Sequence, residues 1–458
     1  MNTPNNITNK FRLILPILLF AVIGIQACQH DSLREVNTEV AKWQDNKKGA
    51  VTITFDDGTI NHFRVALPLL DSLDMPATFY IITGAVPDSE YKPEFVGRPV
   101  DEIIEETAVE STNEENFFER ASAIRYLGFE DVYDYHVQAG QFYEQGNVEQ
   151  AHEVIDQGYA NVRAGEYTRN DDFTPYLNSV LYVEPGTDLI TWEELRTFDG
   201  DFFEFGSHTV THPYLSVMDE DNILFELEKS KLEIHNQLGP EHTFSAEAPF
   251  GTEDERVMEY LYDIYPANRN RMPEPFLDEL NRSSQLNPGA SNNEYVQWQR
   301  GPLTDTSMEL KKSWVDTTLS HDNIWLTLVY HGIDDIGWEP ITHEELDTYY
   351  RYIKERENDL WIATFEDVAK YIRQRMNSEL VSETNGEEIF VNLSHSLGDV
   401  YDLPLTLKTD VPDEWNSVLI EQGNRSKTRN VQKDGERSWV IYQASPNAEE
   451  IRIAREES

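Results

Sequence analysis

The sequence predicts an α/β fold, in which strands buried on both faces alternate with amphipathic helices, followed by a small β-sandwich. Three observations carry this. The runs Val51–Phe55 and Asn323–Tyr330 are apolar or β-branched almost throughout, as strands covered on both faces are. Between the first of these and the next such run, Met75–Ile82, residues Val65, Leu67, Leu69, Leu70 and Leu73 have helical spacing, and a strand–helix–strand order joins parallel neighbours. Beyond Ser378 the texture changes to short alternating strands, at Ile389–Leu393, Leu403–Leu407, Ser417–Ile420 and Ser438–Tyr442, with Asp434-Gly435 as a hairpin signal.

The first strand halts on Asp56-Asp57-Gly58. Alone this is a turn signal, yet two carboxylates at a buried strand end are costly unless a cation compensates them. A second apolar run, Phe202–Phe205, leads into Gly206-Ser207-His208-Thr209-Val210-Thr211-His212-Pro213. Two histidines four apart can share one metal, and with one aspartate they form a two-His-one-carboxylate set with positions left open. The strand Asn323–Tyr330 also ends on a histidine, His331.

Between these strands, residues 86–188 are polar, Tyr-rich and helical in spacing. Thr112 with Glu115 reads as a capping box ahead of Phe117, Phe118, Ala121 and Ile124, with Gly128 as its stop. Helices Phe129–Gln145 and Val148–Arg163 follow, closed by Gly146 and Gly165, with no clean repeat period. The rhythm resumes with a capping box at Thr191 and Glu194, then helices Asn222–Leu238, Glu253–Tyr262, Glu344–Arg356 and Glu366–Met376, and strands Phe244–Phe250 and Trp361–Phe365.

Charge and address add limits. The chain has 458 residues, and 37 basic against 84 acidic side chains give a net charge of −47. That excludes a basic footprint for nucleic acid and favours a soluble monomer. Lys10 and Arg12 precede an apolar run, Leu13–Ile25, placed like a signal-peptide core. Ile25-Gln26-Ala27-Cys28 resembles a bacterial lipoprotein cleavage box, and Cys28 is the single cysteine. The expectation is an exported lipoprotein: signal peptide 1–27, lipid on Cys28 as the membrane anchor, and a polar tether over residues 28–45.

Thr54-Phe55-Asp56-Asp57-Gly58 together with His208-Thr209-Val210-Thr211-His212 resembles the first two motifs of the polysaccharide deacetylases, the NodB-homology family of carbohydrate esterases. The resemblance implies an irregular barrel of about seven strands over residues 46–376, with residues 86–188 as an insertion; the sandwich, read from its alternating strands, takes residues 386–456. It implies Asp57, His208 and His212 as ligands of one divalent metal, zinc first, with cobalt, nickel or manganese as alternatives. Asp56 becomes the general base, and His331, closing Leu328-Val329-Tyr330-His331, the general acid. The third motif is met only in part. Glu247-Ala248-Pro249-Phe250-Gly251 keeps the loop, with Pro249 shaping it and the Phe250 N–H as oxyanion donor, but Glu247 stands where the family has an arginine that orients the base. Arg300, in Gln297-Trp298-Gln299-Arg300, is expected to replace it. Trp298, Trp338 and Tyr214 are expected to stack on sugar rings. The expected substrate is an acetylated polysaccharide or oligosaccharide.

Other hydrolases fit less well. No glutamate follows His208, as a metalloprotease helix needs, and adjacent Asp56 and Asp57 cannot flank a glycosidic bond. The alternative is a surface lipoprotein that binds polysaccharide with an inactive catalytic domain, which the missing third-motif arginine favours.

Overall fold

In the computed structural model, which describes residues 33–127, 132–166, 174–301 and 303–456, strand Gly49–Phe55 is buried at every position. Ile324–Tyr330 runs parallel along one side of it, Trp325 opposite Ala50 and Tyr330 opposite Phe55. On the other side Thr78–Ile81 pairs with its C-terminal half and Leu360–Ile362 with its N-terminal half. The sheet continues outward as Glu204–Ser207, Ser245–Ala246 and Ala267–Asn268 in one direction, and Val296–Arg300 and Asp278–Leu280 in the other. Every pairing is parallel. This is the kind of α/β barrel that the resemblance implies, left unpaired between Ala267–Asn268 and Asp278–Leu280 among the described residues. Nine strands replace the expected seven. The two additions are those same two- and three-residue strands, too short to leave a periodic signature in sequence.

A parallel arrangement sends the C-terminal ends of the strands to one rim, where the connecting loops build sites. Asp56, His208, Glu247, Arg269 and His331 each follow a strand directly there. At the opposite rim Glu204 ties three elements together. Its carboxylate accepts from Thr78 Oγ1 (2.8 Å), from Ser245 Oγ, and from the Glu366 N–H (2.9 Å) at the start of helix Phe365–Met376.

Residues 86–188 form a helical insertion, with Val100–Glu106, Phe117–Arg125, Tyr133–Glu144, Val148–Ala164 and Thr174–Val180. Gly165 stops its longest helix at φ 73°, a left-handed turn that glycine adopts without penalty. The expected capping box at Thr112 does not form. Thr112 gives both its N–H (2.8 Å) and its hydroxyl (2.6 Å) to Asp156, and the helix begins at Phe117. Gly128 and Phe129 lie outside the described residues. Ile103, Phe117, Ile124, Ala151, Ile155 and Tyr159 give the insertion its own core, which Tyr214 and Val217 of the barrel enter.

The C-terminal domain is a sandwich of two antiparallel sheets, six-stranded and four-stranded. Val391, Leu407, Val418, Val440 and Ile453 fill its interior, together with Tyr371 from the last barrel helix. The Asp434-Gly435 turn links Gln432–Lys433 to Ser438–Ala444. Two boundaries differ from expectation. Strand Glu379–Thr384 belongs to the sandwich, and residues expected in a free tether are folded: Arg34–Glu35 pairs with Glu379–Thr384, and Thr38–Val40 with Leu405–Asp410. Polar composition hid them, since each lies on a sheet edge with little burial. Cys28 and the apolar run before it lie outside the described residues.

Candidate active site

At the C-terminal rim three side chains converge. The Asp57 carboxylate and one ring nitrogen each from His208 and His212 lie within 4.8 Å of one another. Asp57 Oδ1 stands 3.5 Å from both His208 Nε2 and His212 Nε2. Ligand atoms about 2.0–2.1 Å from a shared ion at a tetrahedral angle stand roughly 3.3 Å apart, so this spacing fits a metal. His208 Nδ1 donates to the Glu247 carbonyl at 2.7 Å, which fixes the tautomer and turns an unprotonated Nε2 toward Asp57. Charge points the same way, because the buried Arg269 pairs with Asp56 and Glu247, whereas Asp57 faces the two histidines. A divalent cation would balance the Asp57 carboxylate.

Beside this set, Asp56 is gripped from the barrel interior. Arg269 Nη1 donates to Oδ1 at 2.6 Å and Nη2 to Oδ2 at 2.7 Å. Burial would raise the pKa of Asp56, but the Arg269 guanidinium, and then His331, hold it well below the carboxylate range. Arg269 also donates to Thr54 Oγ1 (2.8 Å) and pairs with Glu247 (3.1 Å), and its carbonyl accepts from the amides of Gln297 and Gln299. Burial pushes Glu247 up to about 7.

The arginine on Asp56 is therefore Arg269, not Arg300. A strand's period of two explains the correction. Gln297 and Gln299 point inward to Arg269, so Trp298 and Arg300 share the other face. There Arg300 lies 4.9 Å over the Trp298 ring and donates to the Ser284 carbonyl. Trp298 is likewise no sugar platform, being packed in the core with Leu280 and Val296. Arg269 gave no signal in the sequence because its strand, Ala267–Asn268, is only two residues long.

His331 stands across from the metal set, its Nε2 3.5 Å from Asp56 Oδ2. Burial pushes its pKa down to about 4, against the pull of Asp56. His62, buried one layer behind, donates from Nε2 to the His331 carbonyl. Trp338 packs edge-on against the His331 ring at 4.7 Å and is 39% exposed, and Arg282 lies 5.5 Å over its indole.

Phe250 occupies a left-handed turn (φ 59°), buttressed by Pro249, which is buried under the loop. Its ring contacts His212 at 4.7 Å and stacks on Tyr214 at 4.0 Å. Tyr214 is in turn fixed by the insertion. Its N–H donates to His136 Nε2 (3.0 Å), whose Nδ1–H goes to the Ala121 carbonyl (2.8 Å), and burial pushes His136 down to about 3. These groups open onto a cavity of about 810 Å³. Val137, Gln141, Val180 and Tyr182 of the insertion wall it on one side, Asn270, Asn281, Arg282 and Ser283 on the other.

A parallel barrel with an Asp-His-His set at its rim, beside a clamped aspartate and a histidine, is the arrangement that the resemblance to polysaccharide deacetylases implies. The profile of the family described as polysaccharide deacetylase matches residues 44–111 and 132–264, which hold the strands carrying Asp56, Asp57, His208 and Glu247. Against curated proteins, the chain is 26% identical over 279 residues to a gellan lyase from Bacillus sp, covering 56% of this chain and 11% of that protein. The chain thus spans about a tenth of that relative's length. Among solved structures, a polysaccharide deacetylase from Mycobacterium smegmatis aligns with a TM-score of 0.36 at 11% identity, over 75% of this chain and 96% of that one. A family 4 carbohydrate esterase from Streptomyces lividans in complex with acetate aligns with a TM-score of 0.27 at 11% identity, over 69% and 92%.

Proposed function

We propose that this protein is a metal-dependent hydrolase that removes acetyl groups, N- or O-linked, from a polysaccharide or oligosaccharide. The observation that carries the reading is the convergence of Asp57, His208 and His212 within 4.8 Å of one another, at the floor of a cavity that also exposes Asp56 and His331. These three would hold a divalent ion, zinc first by ligand type. When bound, such an ion polarises a carbonyl and lowers the pKa of water from 15.7 toward about 7.

The chain's own groups do the rest. Asp56, fixed at both oxygens by Arg269, accepts the proton of the attacking water. His331, 3.5 Å from Asp56 on the same cavity, delivers a proton to the departing amine or alkoxide. The Phe250 N–H serves the developing oxyanion. Sugar rings rest on Trp338 and on the exposed Phe250 ring, which the buried Tyr214 backs instead of meeting sugar itself, while the amides and hydroxyl of Asn270, Asn281 and Ser283 meet their hydroxyls. The inactive-binder alternative drew on the missing arginine, and Arg269 supplies that cation from another strand. Lipidation of Cys28 and attachment to a membrane remain part of this reading.

The test is acetate release from acetylated xylan and chito-oligosaccharides, before chelation, after it, and after zinc, cobalt, nickel or manganese is restored. Release that chelator abolishes and metal restores is the expected result. No release with any of the four metals would leave a carbohydrate-binding protein.

A further inference from the structure

The segment carrying the second histidine is held in a shape its residues resist. Thr209 and His212 have φ of 66° and 58°, left-handed values that cost a non-glycine residue about 1–2 kcal/mol each. Three side chains oppose that cost. From the barrel, Glu226 accepts the Thr211 N–H at 2.8 Å. From the insertion, Arg125 donates to the Thr211 carbonyl, to Thr211 Oγ1 (2.7 Å) and to the His212 carbonyl (3.4 Å), and Tyr176 donates to the Thr211 carbonyl as well. Arg125 is itself fixed. It ends helix Phe117–Arg125, is 5% exposed, and sits 5.7, 5.1 and 4.8 Å from the rings of Tyr126, Tyr133 and Tyr176.

We propose that the helical insertion is the clamp that sets His212 for metal capture, with Arg125 as its positioning residue; this rests on the metal-site reading above. A planar guanidinium suits the task because it reaches neighbouring acceptors from one rigid fork, which a lysine ammonium cannot do. A cation near His212 also repels a metal ion, so geometry and charge predict opposite effects of removing it. Geometry outweighs charge here. Arg125 bonds the backbone that aims His212, whereas its charge acts on the metal set only from behind that backbone.

The experiment is zinc affinity of the full chain, by competition with a chromophoric chelator, for the parent, R125M, R125K and Y176F, alongside the melting temperature of each metal-free protein. R125M is expected to weaken zinc about 10- to 100-fold, the range typical of groups supporting metal ligands, with R125K and Y176F intermediate and all folded without metal. If R125M fails to fold, R125K and Y176F decide: weaker zinc at an unchanged metal-free melting temperature supports the clamp, and unchanged zinc overturns it. Unchanged or tighter binding by a folded R125M overturns it as well. A parent that binds no zinc overturns the metal-site reading and the clamp with it, a failure distinct from equal binding by parent and variants.

Discussion

Arg269 spans both carboxylate oxygens of Asp56, at 2.6 and 2.7 Å, and pairs with Glu247 at 3.1 Å from the same guanidinium. The cation thus bridges the base to the residue standing at the third-motif arginine position. Lysine keeps the charge but loses the two-point grip. R269K should lower kcat about 100-fold, as small misplacements of a reacting group do, with KM changed about threefold or less. Steady-state acetate release measures both, and an unchanged kcat would show that the grip has no part in the reaction.

His331 stands 3.5 Å from Asp56, and the proposed function puts its task at the leaving group. H331Q should slow deacetylation of a sugar by about 10²- to 10⁴-fold. With 4-nitrophenyl acetate, whose leaving group departs without a proton, the loss should shrink to about tenfold or less. Equal losses on both substrates would remove the acid role.

Glu279 tests the pH dependence of stability. Its carboxyl accepts the Met272 N–H at 2.6 Å, and burial raises its pKa from 4.5 to about 8. A folded-state pKa above the unfolded one means the stability it confers is complete below about pH 4.5 and lost as pH rises through about 8. E279Q keeps the acceptor without the charge. It should melt about 2 °C or more above the parent at about pH 9 and level with it at about pH 4.5. Parallel melting curves across that range would contradict the assignment.

Gly140, in helix Tyr133–Glu144, lies where a Cβ would strike the Tyr214 ring. In an unobstructed helix Gly→Ala stabilises by about 1 kcal/mol, whereas overpacking costs about 1–3 kcal/mol. G140A should therefore lower the melting temperature and raise KM for oligosaccharide, since Tyr214 and the Phe250 stacked on it move together. A raised melting temperature would show that the ring has room.

Legibility followed length and charge. Gly49–Phe55, Ile324–Tyr330 and their terminal residues Asp56, Asp57 and His331 could be read because long apolar runs ending on polar side chains are rare combinations. His208 and His212 gave themselves away by spacing. Arg269 did not, because a two-residue strand has no period and three other arginines lie close by, at 271, 282 and 300. Arg300 was the wrong choice by parity alone, one residue from the inward-facing Gln299. The strands Arg34–Glu35 and Thr38–Val40 were invisible for another reason: their partners, Glu379–Thr384 and Leu405–Asp410, lie near the far end of the chain, and nothing local distinguishes a polar edge strand from a linker.

That last pairing governs how the molecule is made. Thr38–Val40 is made before the barrel and Leu405–Asp410 after it, so the barrel is complete in sequence while the sandwich still lacks most of its strands. A nascent chain arrested near residue 376 would hold a finished barrel with Arg34–Glu35 and Thr38–Val40 still unpaired. The residues beyond Met376 thus complete the sheets that those two strands edge, although none of the described ones lines the cavity.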